Sequence, residues 1–505
     1  MDVRFGRRIF LSAAGSFLAS TALAEAPTGA IRPKARPDPA LAPSIAPAKD
    51  MRPRPRPSAQ SLIDEADLGG VVGFVVADAT TGQEIENTQA ATTLPPASVT
   101  KVVTSLYALE VLGADYRFAT RVLATTPMID GKVSGDLVLV GGGDPALLTD
   151  DLAELAKLLA AAGLKQVDGR FLYWQGALPF MAEIEPGQPD HLGYNPAVSG
   201  LNLNFNRVYF EWKRQSGGDY RVTMDARSDL YRPAVSMAQI RVVDRAAPIF
   251  GYQRDQGRDS WTVSRQALRE AGGRWLPVRN PGQYAAEVFQ VFARDHGINL
   301  PNPQEVETLP QGVELTRWTS APLTDIIRDL LYHSTNLTAE VVGLAATAKR
   351  LGRQIGQRAS AREMALWCLG RTGVAARFMD HSGLHGDTRI SARAMVRLLL
   401  AEGAQGALLS LLKKIDMTDP EGRKIEGLGI EVAAKTGTLN FVSALAGYER
   451  AANGRLLAFA IFSGNLERRA ETSDYAEDLP PGAGPWNARA RRLQQQLLQR
   501  WGKIT

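Results

Sequence analysis

Apolar residues recur along the chain with two periods, which together predict a mixture of strands and helices. Alternating or continuous apolar runs bounded by turn residues predict strands, which we expect at 73–78, 82–85, 135–140, 430–438, 443–449 and 456–463. Apolar positions three and four residues apart predict helices, which we expect at 98–111, 148–162, 284–295, 324–332, 337–351, 360–369 and 486–501. The first two strands should form a hairpin, and the last three should be consecutive and antiparallel.

The order of these elements predicts one domain that is interrupted by another. Strand and helix patterns occupy both ends of the folded part, whereas short strands and glycine or proline turns fill the chain between 162 and 280. A length of 505 residues also exceeds the size at which a single core stops growing. We therefore predict an α+β fold. A domain with an antiparallel sheet flanked by helices would span 61–118 and 281–505, and an inserted α+β region would span 119–280.

The first 24 residues have the three parts of an export signal. Arg7 and Arg8 precede an apolar run at 9–18, and Ala22-Leu23-Ala24 supplies the small residues of a cleavage site. The apolar run is shorter than the ~20 residues that span a bilayer, which favours cleavage over anchoring. The order Arg-Arg-Ile-Phe-Leu also resembles a twin-arginine signal. We predict a periplasmic protein with a cleavable signal that uses either the twin-arginine or the general secretory route.

Segment 25–60 is predicted to be an extended linker, because proline recurs there with alanine and arginine. From 30 to 60 the charged residues are Arg32, Lys34, Arg36, Asp38, Lys49, Asp50, Arg52, Arg54 and Arg56. Seven basic and two acidic residues give a surplus of five, which equals the net charge of +5 of the whole chain. The remainder is close to neutral, so we expect no nucleic-acid partner. The linker would either associate loosely with the membrane or wall, or act only as a spacer.

Cys368 is the single cysteine of the chain and lies in an apolar helical run. One cysteine cannot form an internal disulfide or a cysteine-rich metal site. We predict a buried, unreactive thiol.

Three short motifs contain residue types that are typical of serine acyl transfer. They are Ser98-Val99-Thr100-Lys101, Ser334-Thr335-Asn336 and Lys435-Thr436-Gly437-Thr438. Each one is weak alone, because a second S-x-x-K ends at Lys413 and a second S-x-N ends at Asn465. Their order, and the fact that K-T-G occurs once in the chain, favour the first set.

Ser98 and Lys101 would share one face at the start of a helix, so the lysine amine could reach the serine hydroxyl. A lysine can take the proton of that hydroxyl if its pKa falls from about 10.4 toward neutrality. Burial and the nearby positive charge of Lys435 would both lower this pKa. Backbone N–H groups at the helix start would favour negative charge on the attacked oxygen.

Each motif also has a purely structural interpretation. Ser98 could cap its helix while Lys101 points into solvent. Ser334 and Asn336 could cap the helix that is predicted to begin at Leu337.

Lys435 could likewise be an exposed lysine on a strand. Gly437 would then have no special role, whereas in a functional site it would let another backbone approach the strand closely, as a peptide substrate would.

Taken together, the motifs resemble those of the D-alanyl-D-alanine carboxypeptidase and endopeptidase family of class C low-molecular-mass penicillin-binding proteins, the S13 type of peptidase. Further segments are similar to that family, at 135–145, 194–196, 201–206 and 380–384. The resemblance runs from about residue 62 to the C-terminus. It implies a serine β-lactamase/transpeptidase-like domain that is split by a long insertion.

The resemblance implies that Ser98 is acylated by the D-Ala-D-Ala carbonyl and that Lys101 is the base. Ser334 would pass a proton to the leaving amine. The backbone N–H groups of Ser98 and Thr438 would form the oxyanion hole. Water would release the acyl group, and no metal or cofactor would be required.

The resemblance also implies a substrate site for peptidoglycan stem peptides, with β-lactam antibiotics as covalent inhibitors. Asn336 would orient the substrate backbone, and Lys435 and Thr436 would hold its carboxylate beside Gly437. Segment 171–178 departs from the family because it lacks an expected aspartate, and His385 replaces a small polar residue in a variation that we expect at the surface.

Two alternative functions remain open at this point. One is a serine β-lactamase on the same fold, although no motif supplies an acidic deacylation base and Thr335 stands where class A enzymes have aspartate. The other is a non-catalytic wall-binding protein, which the complete set of motifs disfavours. The balance between carboxypeptidase and endopeptidase activity is also open.

Overall fold

The computed structural model describes residues 57–503, apart from 256, 404–405, 420 and 472–479. The predicted export signal and almost all of the predicted linker lie outside these residues. The first helix begins at Ala59, because the side chain of Ser58 accepts a hydrogen bond from Ser61 N and caps it. Within the described residues, no helix combines the length and apolar character needed to cross a membrane.

All seven predicted helices are present, with ends that differ by a few residues. The helices are α1 (Ala59–Ala66), α2 (Thr100–Leu112), α3 (Thr149–Ala161), α4 (Pro281–Asp295), α5 (Leu323–His333), α6 (Asn336–Leu351), α7 (Gln357–Thr372), α8 (Ala392–Glu402), α9 (Ala407–Leu411), α10 (Leu466–Glu471) and α11 (Ala483–Trp501). Four of these helices (α1, α8, α9 and α10) were not predicted. The helix expected from Ser98 begins two residues later, because Ala97–Val99 form a 3₁₀ turn. Cys368 is buried within α7, as predicted, and burial raises the pKa of its thiol to about 11.

The strands include all of those predicted. They are β1 (Val71–Asp78), β2 (Glu84–Thr88), β3 (Thr93–Leu94), β4 (Ala119–Ala124), β5 (Lys132–Val133), β6 (Leu137–Val140), β7 (Gln166–Val167), β8 (Phe171–Trp174), β9 (Arg207–Arg214), β10 (Tyr220–Asp225), β11 (Ala238–Val243), β12 (Phe250–Asp255), β13 (Arg258–Ser264), β14 (Ala271–Pro277), β15 (Gln304–Glu305), β16 (Val313–Thr319), β17 (Ile390–Ser391), β18 (Lys413–Ile415), β19 (Glu431–Leu439), β20 (Val442–Arg450) and β21 (Leu456–Gly464).

The central sheet has the strand order β18-β19-β20-β21-β1-β2, and all of its neighbouring strands are antiparallel. This order confirms both the predicted hairpin of β1 with β2 and the predicted series β19, β20 and β21. The first and last parts of the chain therefore meet in one sheet.

Alternate residues of the central strands face two separate cores, as expected for side chains with a period of two. On β1, Phe74 and Val76 pack with α1 and α11, and the ring centroids of Phe74 and Trp501 lie 5.4 Å apart. Val75 and Ala77 face the other core, which α2, α5, α6, α7 and α8 complete. Helices thus cover both faces of the sheet.

A further core lies in the part of the chain predicted to be inserted. Its main sheet has the order β15-β8-β6-β4-β16, and α3 and α4 pack in the same core. Helix α4 and strand β16 both follow residue 280, so elements on either side of the predicted boundary share these contacts. The division into two domains remains a prediction.

Candidate active site

The turn that carries Ser98 is held between two close backbone contacts. Ala97 has a left-handed φ of 47°, which is uncommon for a residue other than glycine. A Cβ atom at Gly437 on β19 would lie 2.5 Å from Pro96 O and 3.0 Å from Ser98 N. A Cβ atom at Gly383 would lie 1.9 Å from Ala97 O. The backbone that approaches Gly437 is therefore the turn that carries Ser98, and only glycine fits there.

Lys101 lies one turn further along α2 and is fully buried. Its Nζ contacts three oxygens, at 2.9 Å to Ser98 Oγ, 2.7 Å to Asn336 Oδ1 and 2.7 Å to Ser382 O. The interpretation of Lys101 as a solvent-exposed lysine is therefore wrong. A neutral amine has two N–H donors and one lone pair. If Asn336 and Ser382 accept both N–H groups, the lone pair is directed at the Ser98 hydroxyl.

Burial lowers the pKa of Lys101 to about 8, and the nearby carboxylates of Asp380 and Glu340 act in the opposite direction. The sequence predicted a lowered pKa, but it attributed part of the effect to Lys435. In the structure, the repulsion between the two lysines instead helps to lower the pKa of Lys435, for which burial is again the main cause. A neutral Lys101 amine is accessible near neutral pH.

The second motif lies where α5 ends and α6 begins. Ser334 ends α5 in a left-handed conformation with φ 60°, and Thr335 occupies the N-cap position of α6 without a side-chain cap bond. The capping interpretation of Ser334 and Asn336 is therefore wrong. Asn336 Nδ2 donates to Tyr194 O at 2.9 Å, while its Oδ1 accepts from Lys101. The side-chain amide of Asn336 is thus fixed in orientation.

The third motif lies on β19, along the other side of Ser98. Lys435 is 2% exposed, which rules out the exposed-lysine interpretation, and its Nζ donates to Thr436 O at 2.8 Å. Thr436 and Thr438 are exposed, whereas Gly437 between them is buried against the turn of Ser98. The strand therefore presents two hydroxyl side chains and its backbone beside the serine.

Several residues that contact this site were not assigned a role from the sequence. Glu340 on α6 is fully buried, and its Oε1 accepts from His381 N at 3.1 Å and Ser382 N at 2.9 Å. Asp380 is also fully buried and accepts from Gly383 N at 2.8 Å. These bonds hold the loop whose Ser382 carbonyl accepts from Lys101. We regard Glu340 and Asp380 as positioning residues.

The two departures from the family pattern occupy different surroundings. Segment 171–174 is strand β8, where Phe171 and Leu172 are buried in the sheet of the further core. His385 has a side chain that is 17% exposed, and its Nε2 lies 3.7 Å from Glu185 Oε1. His385 is therefore only partly exposed.

Across the described part of the chain, no group of three or more His, Cys, Asp or Glu side chains is arranged to bind a metal ion.

Comparisons with known proteins agree with the geometry. The D-alanyl-D-alanine carboxypeptidase of Actinomadura sp. strain R39 is 29% identical over 445 residues, which cover 79% of this chain and 79% of that protein. The crystal structure of penicillin binding protein 4 from Haemophilus influenzae has a TM-score of 0.68 at 21% identity, and the match covers 87% of this chain and 99% of that one. A structure of the same protein with a β-lactam has a TM-score of 0.64, with the same identity and coverage. A model of the D-Ala-D-Ala carboxypeptidase 3 (S13) family matches residues 58–478. This chain therefore belongs to the S13 family of D-Ala-D-Ala carboxypeptidases.

Proposed function

We propose that this protein is a serine-type D-Ala-D-Ala carboxypeptidase that acts on peptidoglycan stem peptides through an acyl-enzyme at Ser98. One observation carries the proposal. The Lys101 amine is buried, is held by Asn336 and Ser382, and has its remaining contact with Ser98 Oγ. This is the arrangement that a serine needs to become a nucleophile without a histidine.

The first half of the reaction transfers the acyl group to the protein. The lone pair of Lys101 takes the Ser98 proton, and Oγ attacks the carbonyl carbon of the D-Ala-D-Ala bond. Backbone N–H groups of Ser98 and Thr438 stabilise the negative charge that develops on the carbonyl oxygen. The C–N bond then breaks, and the leaving amine receives a proton through Ser334.

The second half releases the shortened peptide. Water attacks the ester at Ser98, the Ser98 oxygen regains a proton, and the free peptide carboxylate leaves. Throughout, Asn336 orients the substrate backbone, while Lys435 and Thr436 hold its terminal carboxylate beside Gly437. Lys435 is suited to this role, since it has no carboxylate ion pair among the described residues and a bound carboxylate would favour its charged form.

The β-lactamase alternative requires a carboxylate that activates a deacylating water. The buried carboxylates beside Lys101 are those of Glu340 and Asp380. Both accept hydrogen bonds from backbone N–H groups of the loop at 381–385. They are therefore engaged in holding that loop, which favours slow deacylation of a β-lactam adduct. The Haemophilus influenzae relative has been solved with a β-lactam, and we expect such compounds to acylate Ser98 here.

The test is acylation and turnover by the purified protein. Incubation with benzylpenicillin should give one adduct on the peptide that contains Ser98, as measured by mass spectrometry, and an acyl-L-Lys-D-Ala-D-Ala peptide should release D-Ala. Ser98→Ala should lose both. Absence of the adduct in the wild-type protein would defeat the enzyme proposal, and sustained hydrolysis of nitrocefin would favour the β-lactamase.

The proposed site of action is the periplasm, where peptidoglycan is accessible. A cleavable signal at 1–24 and a basic linker at 25–60 would place the folded part there. Both segments are proposals from the sequence, and endopeptidase activity on cross-linked peptides is a further possibility that product analysis of cross-linked muropeptides would detect.

A further inference from the structure

Strand β18 covers only the first part of the outer edge of β19. Lys413, Lys414 and Ile415 pair with Ala434, Ala433 and Val432 respectively. At 435–439, no other described strand pairs with this edge of β19. A peptide substrate that adds to the sheet must therefore pair with the K-T-G segment, directly in line with β18.

The position of Lys435 fixes the direction of such a peptide. Lys435 lies at the end of the open stretch that is next to β18. A peptide whose terminal carboxylate reaches Lys435 must run antiparallel to β19, which is also the direction of β18. Its C-terminus then points at the first residue of β18, Lys413.

The side chain of Lys413 is exposed and is held toward the opposite side of the cleft. Its Nζ lies 4.6 Å from the centroid of the Tyr332 ring, which is within the range of a cation–π contact. Tyr332 precedes Ser334 by two residues on α5. Lys413 thus connects the strand side of the site to the side that carries Ser334 and Asn336.

Lys413 places positive charge beside Lys435. It pairs with Ala434, the residue before Lys435, and its charge lowers the pKa of Lys435 together with burial and the charge of Lys101. Within the described residues, neither amine forms an ion pair with a carboxylate. A bound carboxylate would offset the repulsion between the lysines and favour the charged form of Lys435, so the pair favours an anionic ligand.

We propose that Lys413 is a specificity-determining residue that binds, together with Lys435, the free carboxylate of a C-terminal residue. Strand β18 closes the groove beyond that carboxylate. The favoured substrate is therefore a peptide whose leaving group is one amino acid with a free carboxylate, in preference to a peptide whose backbone continues beyond that residue. This inference rests on the proposed function and defines its substrate.

The test compares Lys413→Gln with the matched control Lys414→Gln, whose position is the exposed neighbour on the same strand. The substrates are acyl-L-Lys-D-Ala-D-Ala, its C-terminal amide, and the same peptide extended by one glycine. In Lys413→Gln, kcat/KM for the free acid should fall about fivefold, mainly through KM, as expected for loss of an exposed charge pair. In the same variant, kcat/KM for the amide should stay within about twofold of wild type. In Lys414→Gln, kcat/KM for both the acid and the amide should stay within this range.

Two results would overturn the inference. One is an equal decrease in kcat/KM for the acid and the amide in Lys413→Gln. The other is an unchanged kcat/KM for the acid in this variant. The wild-type protein should also cleave the glycine-extended peptide at least about tenfold more slowly than the acid, and equal rates would contradict closure of the groove by β18. Tyr332→Ala should lower kcat/KM for the acid, though by less than Lys413→Gln does. Tyr332→Phe, which keeps the ring, should leave this value unchanged.

Failure of the proposed function would be recognised separately. If the wild-type protein hydrolyses none of the peptides, the acid and the amide are compared as inhibitors of benzylpenicillin labelling of Ser98. Better protection by the acid in the wild-type protein, but not in Lys413→Gln, would support the carboxylate site. Equal protection in both proteins would refute it.

Discussion

At the scale of single residues, the buried Lys101 amine determines how acylation should depend on pH. Its pKa is lowered to about 8, and only the neutral amine can accept the Ser98 proton. Below pH 8 the protonated form predominates, so the second-order rate constant for acylation by benzylpenicillin should rise with pH and reach half of its maximum near pH 8. Quenched reactions followed by mass spectrometry between pH 6 and pH 10 would measure it.

The other charged groups around Lys101 are Asp380, Glu340 and Lys435. Lys435 must stay cationic to bind a carboxylate, and burial lowers its pKa as well. A falling limb at higher pH is therefore expected for benzylpenicillin and for peptides with a free carboxylate, and not for the corresponding peptide amides. An acylation rate that is constant from pH 6 to pH 9 would contradict the role of Lys101 as the base.

The contact between two site residues could be derived from the sequence where the residues are close along the chain. Ser98 and Lys101 are three residues apart, so helix geometry alone predicts their contact, which the structure has at 2.9 Å. The partner Ser382 is 281 residues from Lys101, and its backbone carbonyl has no sequence signature. Glu340 was missed for a related reason, since its contacts depend on how α6 packs against the loop at 381–382.

At the scale of elements, the packing of α6 against the loop that follows α7 leaves no room for a side chain at Gly343. A Cβ atom there would lie 2.3 Å from the ring of the buried His381. Gly343→Ala should therefore destabilise the protein by about 1–3 kcal/mol, although alanine is the better helix former. It should also slow acylation of Ser98, because the loop that it displaces holds Lys101. Urea unfolding and labelling by benzylpenicillin would measure the two effects.

Gly370 on α7 provides the matched control. No atom lies within 4 Å of a Cβ built at this position. Gly370→Ala should stabilise the protein by about 0.5–1 kcal/mol and leave acylation unchanged. If Gly343→Ala and Gly370→Ala have the same effects on stability and acylation, the contact between α6 and His381 is not as tight as described.

The elements themselves were largely predictable because their apolar periods are regular. Their ends were less so, as in the turn Ala97–Val99, which is 3₁₀ because β19 and Gly383 press against it from outside the local sequence. The turn between α5 and α6 was left with a cap as its structural alternative. In the structure, Ser334 at this turn has a left-handed conformation.

At the scale of the whole molecule, the buried carboxyl group of Glu449 should contribute to how stability depends on pH. Glu449 on β20 is fully buried, neither of its oxygens is hydrogen-bonded to a described residue, and burial raises its pKa to about 9. Between about pH 4.5 and pH 9 the folded protein keeps a proton that the unfolded chain releases. The free energy of unfolding should therefore decrease as pH rises through this window.

Glu449→Gln removes this titration. The variant and the wild-type protein should have similar stability at pH 5, and the variant should be more stable by about 1–3 kcal/mol at pH 8. Thermal unfolding of the full chain at several pH values would measure the difference, with Glu431→Gln, at an exposed position on β19, as control for the loss of one carboxylate. If the stability of Glu449→Gln and of the wild-type protein changes with pH in the same way, Glu449 does not contribute to the pH dependence of stability.

The order of elements was enough to predict that the two ends of the chain build one antiparallel sheet. The limits of the inserted region could not be found in the same way. Short strands and turns give way to helical patterns near residue 280. However, α4 and β16, which follow that point, pack in the further core. Such contacts form between segments whose sequences give no sign of each other, and the boundary at residue 280 stays a prediction.

The open edge of β19 at 435–439 has a consequence for the behaviour of the protein in concentrated solution. Unpaired strand edges are sites where copies of a protein can join their sheets and aggregate. Here the open stretch is five residues long and ends where β18 begins, so a second copy could pair with only a few backbone groups. The shortness of the edge that admits a small peptide would thus also limit the association of two copies.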